Sequence, residues 1–213
     1  MTPPVYAGRI LGLLFRGSAV TFRSVFFVVL LAGTIGINAQ ESLQNRELKF
    51  EKQIMESATD HGVDPLLIKA IIFTESTFFH NKTGSFGEIG LMQIRHDAAK
   101  DWAKANGVPA PSKEDMFDPG LNIEIGTWYI ARALKHWYKN PDFLRMALAE
   151  YNAGRTRVLQ WMNHYNDNTD KLLAAKPVGK YADKVCTKYF EYTVKNLKLE
   201  PVIGEQPKIA KFP

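Results

Sequence analysis

Glu75 stands on the wrong face of its helix for a charged residue. From Asp64 to Glu75 the chain reads DPLLIKAIIFTE, and side chains three, four and seven positions apart share a helix face. Counting back from Glu75 gives Ile72, Ile71 and Ile68, so the glutamate continues an apolar stripe, and Phe78 and Phe79 follow it. A carboxyl group among isoleucines and aromatics loses hydration of its ionised form, so its pKa is expected to rise. A general acid working near neutral pH needs that rise. On this helix alone, a glutamate that caps the helix or pairs with a buried arginine is the plainer reading.

Three further segments bear on the choice. Gly87-Glu88-Ile89-Gly90-Leu91-Met92-Gln93-Ile94 sets two glycines ahead of an apolar-plus-amide run. Glycine lets a backbone approach a ligand closely, and a glutamine amide offers both a donor and an acceptor to sugar hydroxyl and acetamido groups. Ala149-Glu150-Tyr151-Asn152-Ala153-Gly154 closes a helix with a tyrosine and an asparagine beside a glycine, and Tyr181 opens the last helix. Each taken singly is ordinary core or cap chemistry.

Other chemistries find little support. The histidines (61, 80, 96, 136 and 164) are scattered, with no His-Glu-x-x-His or cysteine cluster, so no metal site is expected. No phosphate loop or dinucleotide fingerprint occurs, and no cofactor is expected. His96 and His164 read as surface or rim residues. Trp102, Trp128, Trp137 and Trp161 read as helix-packing residues, any one of which could instead stack on a sugar ring. The single cysteine, Cys186, reads as a small buried apolar residue in a helix.

The elements that must position these residues are helices. Leu43, Phe50, Ile54 and Ala58 share one face of a segment over 42–60, which Gly62 ends. Asp64-Pro65 is an N-cap followed by proline at the first helical position, and that helix runs to about Ser76. Residues 81–90, with three glycines, form a loop. Helices are expected over 95–106, from Pro119 to about Lys139, from Pro141 to Asn152, from Thr156 to Tyr165 and from Gly179 to Lys198. No stretch alternates convincingly as a strand. The fold class is therefore mainly α, in a single domain over 40–199, with an irregular tail over 200–213.

The N-terminus reads as an export signal. Val25 to Ile37 is a run of 13 uncharged residues, preceded by Arg9, Arg16 and Arg23 and followed by Gln40-Glu41-Ser42. About 20 apolar residues are needed to cross a bilayer, so the run fits the apolar core of a signal peptide over 1–39, with Ala39 the last residue before cleavage. An uncleaved anchor is the alternative. Beyond residue 39 the chain carries 24 basic and 22 acidic residues, a balance that argues against nucleic acid as a partner.

Taken together, the segments resemble the soluble-type lytic transglycosylases, a lysozyme-like family. The resemblance rests on Glu75-Ser76 at a helix end, then Gly90-Leu91-Met92-Gln93. It continues with Asp118-Pro119, Asn122, Ile123 and Gly126 at a helix start, and ends with Ala149 to Gly154. It implies a lysozyme-like domain with a substrate cleft, and peptidoglycan glycan strands as the partner. It implies Glu75 as the catalytic acid/base, with Ser76, Met92, Gln93, Tyr151, Asn152 and Tyr181 lining the cleft. The implied reaction cleaves the β-1,4 bond between N-acetylmuramic acid and N-acetylglucosamine without water, leaving a 1,6-anhydro end. The implied setting is the periplasm or cell envelope, where a protein partner could place the enzyme.

The sequence departs from the family pattern at Arg95-His96, at Glu88 where alanine is usual, at Gly84 where serine is frequent, and in the approach Lys176 to Lys180 before Tyr181. These changes bear on substrate preference. Two other readings stand beside the first. One is a goose-type lysozyme-like hydrolase, which would need a second carboxylate such as Glu88 or Asp97. The other is a non-catalytic wall-binding protein.

Overall fold

The computed structural model describes residues 43–199. The expected export segment over 1–39 and the tail over 200–213 lie outside the described residues. From Asn45 onward the described residues belong to one packing unit.

After a helical lead-in over 43–49, eight helices follow: α1 (Glu51–His61), α2 (Pro65–Ser76), α3 (His96–Asn106), α4 (Pro119–Trp137), α5 (Phe143–Ala153), α6 (Arg155–His164), α7 (Thr169–Ala175) and α8 (Pro177–Leu199). The only extended pairing among the described residues is two isolated bridges, Thr83 with Ile89 and Ile89 with Ile94. The mainly α reading is thus what the chain adopts.

The helix ends follow local chemistry. Asp64 accepts from Leu66 N at 2.8 Å and Asp118 from Leu121 N at 2.8 Å, each just before a proline at the first helical position. Such caps satisfy amides that the helix itself leaves unpaired. Two elements differ from expectation. Helix α7 was not expected; it has seven residues, too few for an apolar stripe to repeat, and only its cap is telling, with Asn168 accepting from Lys171 N at 2.9 Å. A turn of 3-10 helix, Asp115–Phe117, also interrupts the proline-broken connection.

Helix α2 is the structural centre. It is apolar nearly all round, which is the pattern of a buried helix, and it packs against α8 and α1. Ile68, Ala70, Ile71 and Ile72 are fully buried. Helix α4 packs on α1 and α5. Its Glu124 ties it to α1, facing His61 Nε2 at 2.8 Å and accepting from Ser57 Oγ at 3.2 Å. Helix α8 lies along both α2 and α5, so it brings Tyr181 back to the end of α2. Cys186 on α8 is half-buried rather than buried, and burial pushes its thiol pKa up.

Candidate active site

Helix α2 ends abruptly after Glu75-Ser76. Thr77 and Phe78 both adopt left-handed backbone, with φ of 53° and 61°, a conformation that costs free energy in residues other than glycine. The gain is that Phe78 turns into the core, where it is 1% exposed. This reversal leaves Glu75 on the last turn of a buried helix, with Ile68, Ile71 and Ile72 on its face, as the helical spacing predicts. Ser76 is buried and its hydroxyl donates back to Ile72 O at 3.1 Å.

Among the described residues the Glu75 carboxyl has one side-chain donor, the Tyr181 hydroxyl, at 2.7 Å from Oε1. Burial raises its pKa from 4.5 to about 7; the Tyr181 hydrogen bond and the Lys82 charge pull the other way, and Glu88 adds to the rise. Burial dominates because, among the described residues, no cation bonds the carboxyl directly. Lys82 instead donates to the backbone carbonyl of Glu75.

Tyr151, from α5, donates to Met92 O at 2.9 Å. Tyr151 and Tyr181 both have pKa values raised by burial and by the negative charge of Glu75, which also raises that of Tyr181 through their hydrogen bond. Both phenols therefore remain donors beside the carboxyl. Helices α2, α5 and α8, far apart in the chain, thus meet at one acid and two hydroxyls.

The Gly90–Gln93 segment is held from beneath. Asn122 on α4 is fully buried, accepts from Met92 N at 2.8 Å and donates to Ile89 O and Met116 O, both at 2.9 Å. The Met92 side chain is fully buried against Gly126, where a Cβ would come within 2.4 Å of its sulfur. The Gln93 amide nitrogen donates to Gly90 O at 2.8 Å and Lys82 O at 3.2 Å, so only its oxygen remains to be presented. The structure thus uses Met92 as packing and Gln93 partly as a loop brace. Asn152 is exposed on the last turn of α5.

Sequence reasoning named Asn122 only as part of a pattern and did not single out Lys82. A polar residue at a buried position of α4, between Leu121 and Ile123, was the signal for Asn122. Lys82 gave no signal, since its partner is a backbone carbonyl. Of the two carboxylates considered as partners for Glu75, Glu88 acts on it through space. Asp97 is 82% exposed and lies 3.6 Å from Lys100.

The comparisons with known proteins follow the same lines. The fold matches lytic transglycosylase Slt of Pseudomonas aeruginosa, solved as an inactive mutant, with a TM-score of 0.59 and 25% identity over 72% of this chain and 25% of that one. It also matches the 70-kDa soluble lytic transglycosylase of Escherichia coli, with a TM-score of 0.59 and 24% identity over 68% of this chain and 24% of that one. Fold and site together define a mainly α, lysozyme-like protein with one desolvated glutamate at a helix end. Residues 52–174 match the family model described as the transglycosylase SLT domain, and the chain belongs to that family. Among its relatives are the membrane-bound lytic murein transglycosylases C of Salmonella arizonae and Salmonella typhi, each 34% identical over 145 residues. The match takes in 65% of this chain and 39% of those proteins, so the chain spans well under half of their length. Tyr181 lies beyond residues 52–174 of the family model, and its place in the site rests on its hydrogen bond to Glu75.

Proposed function

We propose that this chain is a peptidoglycan lytic transglycosylase with Glu75 as its acid and base. The supporting observation is the Glu75 carboxyl itself: desolvated, with a pKa of about 7, and oriented by the Tyr181 hydroxyl at 2.7 Å. A carboxylic acid with that pKa is protonated in a large fraction of molecules near neutral pH and ionises readily once its proton is given up.

In the proposed reaction Glu75 donates its proton to the oxygen bridging N-acetylmuramic acid and N-acetylglucosamine. The C1–O bond breaks as the acetamido oxygen of the muramic acid closes on C1, a substrate-assisted route that needs no second carboxylate. The Glu75 carboxylate then takes the proton of the C6 hydroxyl. O6 attacks C1, the acetamido oxygen leaves, and a 1,6-anhydro ring forms. Glu75 ends protonated, ready for another turnover. The hydrogen bond from Tyr181 stabilises the carboxylate between the two steps, and the buried surroundings favour the acid at either end.

The nearby Glu88 keeps a hydrolytic reading in play, since a second carboxylate could activate water. Its Oε2 accepts from Phe86 N at 3.0 Å and so serves the loop. Mass spectrometry of fragments released from purified peptidoglycan, beside the Glu75→Gln protein, tests the proposal. Anhydro ends lost in the variant are expected. Reducing ends would establish a hydrolase, and normal activity in the variant would remove Glu75 from its role. We further propose export to the cell envelope, on the uncharged run from Val25 to Ile37 behind three arginines. Fractionation of cells making the full chain checks it.

A further inference from the structure

Phe86 has 82% of its surface exposed, the largest share among the exposed large apolar residues described. Its position is not that of a loose loop residue. It sits at the tip of a small hairpin closed by the Thr83–Ile89 bridge and by Gly84 N donating to Glu88 O at 2.8 Å. Gly87 N donates to Gly84 O at 3.2 Å, and the Phe86 amide itself is pinned by the Glu88 carboxylate at 3.0 Å. A Cβ at Gly84 would come within 2.2 Å of that carboxylate oxygen, so glycine at 84 is what allows Glu88 to fold across and hold the tip.

The hairpin borders the acid. Lys82 at its base donates to the Glu75 carbonyl. The Lys82 carbonyl in turn accepts from Gly90 N at 2.9 Å and from the Gln93 amide at 3.2 Å. Lys82 on one side of Phe86 and Glu88 on the other both act on the Glu75 carboxyl through space. An aromatic ring left in water costs hydrophobic free energy, and its backbone here is held in place by three hydrogen bonds around the tip. Rigid aromatic faces with little side-chain entropy to lose suit the apolar C–H face of a pyranose ring.

We propose that Phe86 is a sugar-stacking residue, on which one ring of the glycan strand lies flat beside the acid at Glu75. This rests on the proposed function and names a contact of that same site. The sugar is the favoured occupant over a lipid surface because the hairpin is braced to the catalytic helix, and the charges of Lys82 and Glu88 on it offset each other, leaving no basic patch to hold an anionic membrane.

The test separates binding from catalysis. Phe86→Trp is made on the Glu75→Gln protein, and soluble peptide-free glycan strands are titrated while tryptophan fluorescence is compared with the parent. A blue shift or quench absent from the parent is expected. In the active protein, Phe86→Ala should raise KM about 3–10-fold with kcat and Tm nearly unchanged. Phe86→Tyr should restore KM and Phe86→Leu should not. Strand binding by the Glu75→Gln protein with no spectral change in Phe86→Trp overturns the stacking role and leaves the proposed function standing. A spectral change with anionic lipid vesicles and none with glycan overturns it in favour of a membrane. Failure of the Glu75→Gln protein to bind strands at all overturns both readings.

Discussion

Glu75 and Glu150 both have carboxyls withdrawn from water, and their surroundings differ in kind. Glu75 has apolar neighbours and one neutral donor, Tyr181. Glu150, on α5 and adjacent in sequence to Tyr151, is 8% exposed and surrounded by donors. Trp137 Nε1 lies 2.8 Å and His136 Nδ1 2.7 Å from its Oε2, while Arg155 Nε and Nη2 both lie 2.8 Å from Oε1. Burial is common to both, so burial does not distinguish an acid from an anchor. The donors do. A carboxylate gripped by a guanidinium and an indole gives up solvation for fixed hydrogen bonds and joins three elements. A carboxyl starved of donors holds its proton and can lend it.

The sharpest break of this comparison is Glu75→Gln. If the starved carboxyl is the acid, release of anhydro fragments should fall by about 10²–10⁴-fold, with circular dichroism unchanged. Glu150→Gln should cost far less activity at low temperature, because the site carboxyl is untouched. Glu150→Ala should instead lower stability by about 3 kcal/mol, since it leaves Arg155, His136 and Trp137 without their shared acceptor. For a domain of this size that is a fall in melting temperature of about 6–12 °C, read by calorimetry. If Glu150→Ala unfolds no earlier than the parent but abolishes activity, the two roles have been assigned the wrong way round.

The contrast was only half legible in the sequence. Glu75 was visible because helical spacing put it in line with Ile68, Ile71 and Ile72, and the structure buries all three. Glu150 sits in an equally apolar context, Met146 to Ala149, and nothing local marks it as paired. Its partners are at residues 136, 137 and 155, and only the packing of α4 on α5 and the bend at Gly154 bring them together. The same limit applies to Asn122, whose three hydrogen bonds reach 33, 30 and six residues back along the chain. Most long helices were legible because proline and aspartate caps and glycine stops act locally. Helix α7 was not, because its two buried leucines do not make a period.

Tyr181 sharpens the comparison from the side of Glu75. Its hydroxyl lowers the pKa that burial raises, so Tyr181→Phe should push Glu75 still higher. Activity that depends on protonated Glu75 falls as pH rises through that pKa, and the falling limb of the pH–rate profile should move to higher pH. The rate at the optimum should drop about tenfold, as the carboxylate loses its hydrogen bond. A profile that stays in place would show that the 2.7 Å contact does not set the acid. The same substitution should leave the thermal stability given by Glu150 untouched.

The smallest expected effect concerns stability. Glu75 has a folded pKa of about 7 against an ordinary 4.5, so the native state binds the extra proton between those values. By linkage its favourable contribution is complete below about pH 4.5 and is lost as pH rises through about 7. Glutamine does not titrate. Glu75→Gln should therefore match the parent near pH 4 and exceed it by about 1–2 kcal/mol near pH 8, part of the full shift being offset by solvent reaching the carboxyl. Denaturant unfolding at the two pH values reads the difference directly. A gain at pH 8 together with lost activity would show that the domain gives up stability to keep this carboxyl unpaired, whereas a Glu75→Gln protein less stable at both pH values would mean that Glu75, like Glu150, serves the fold.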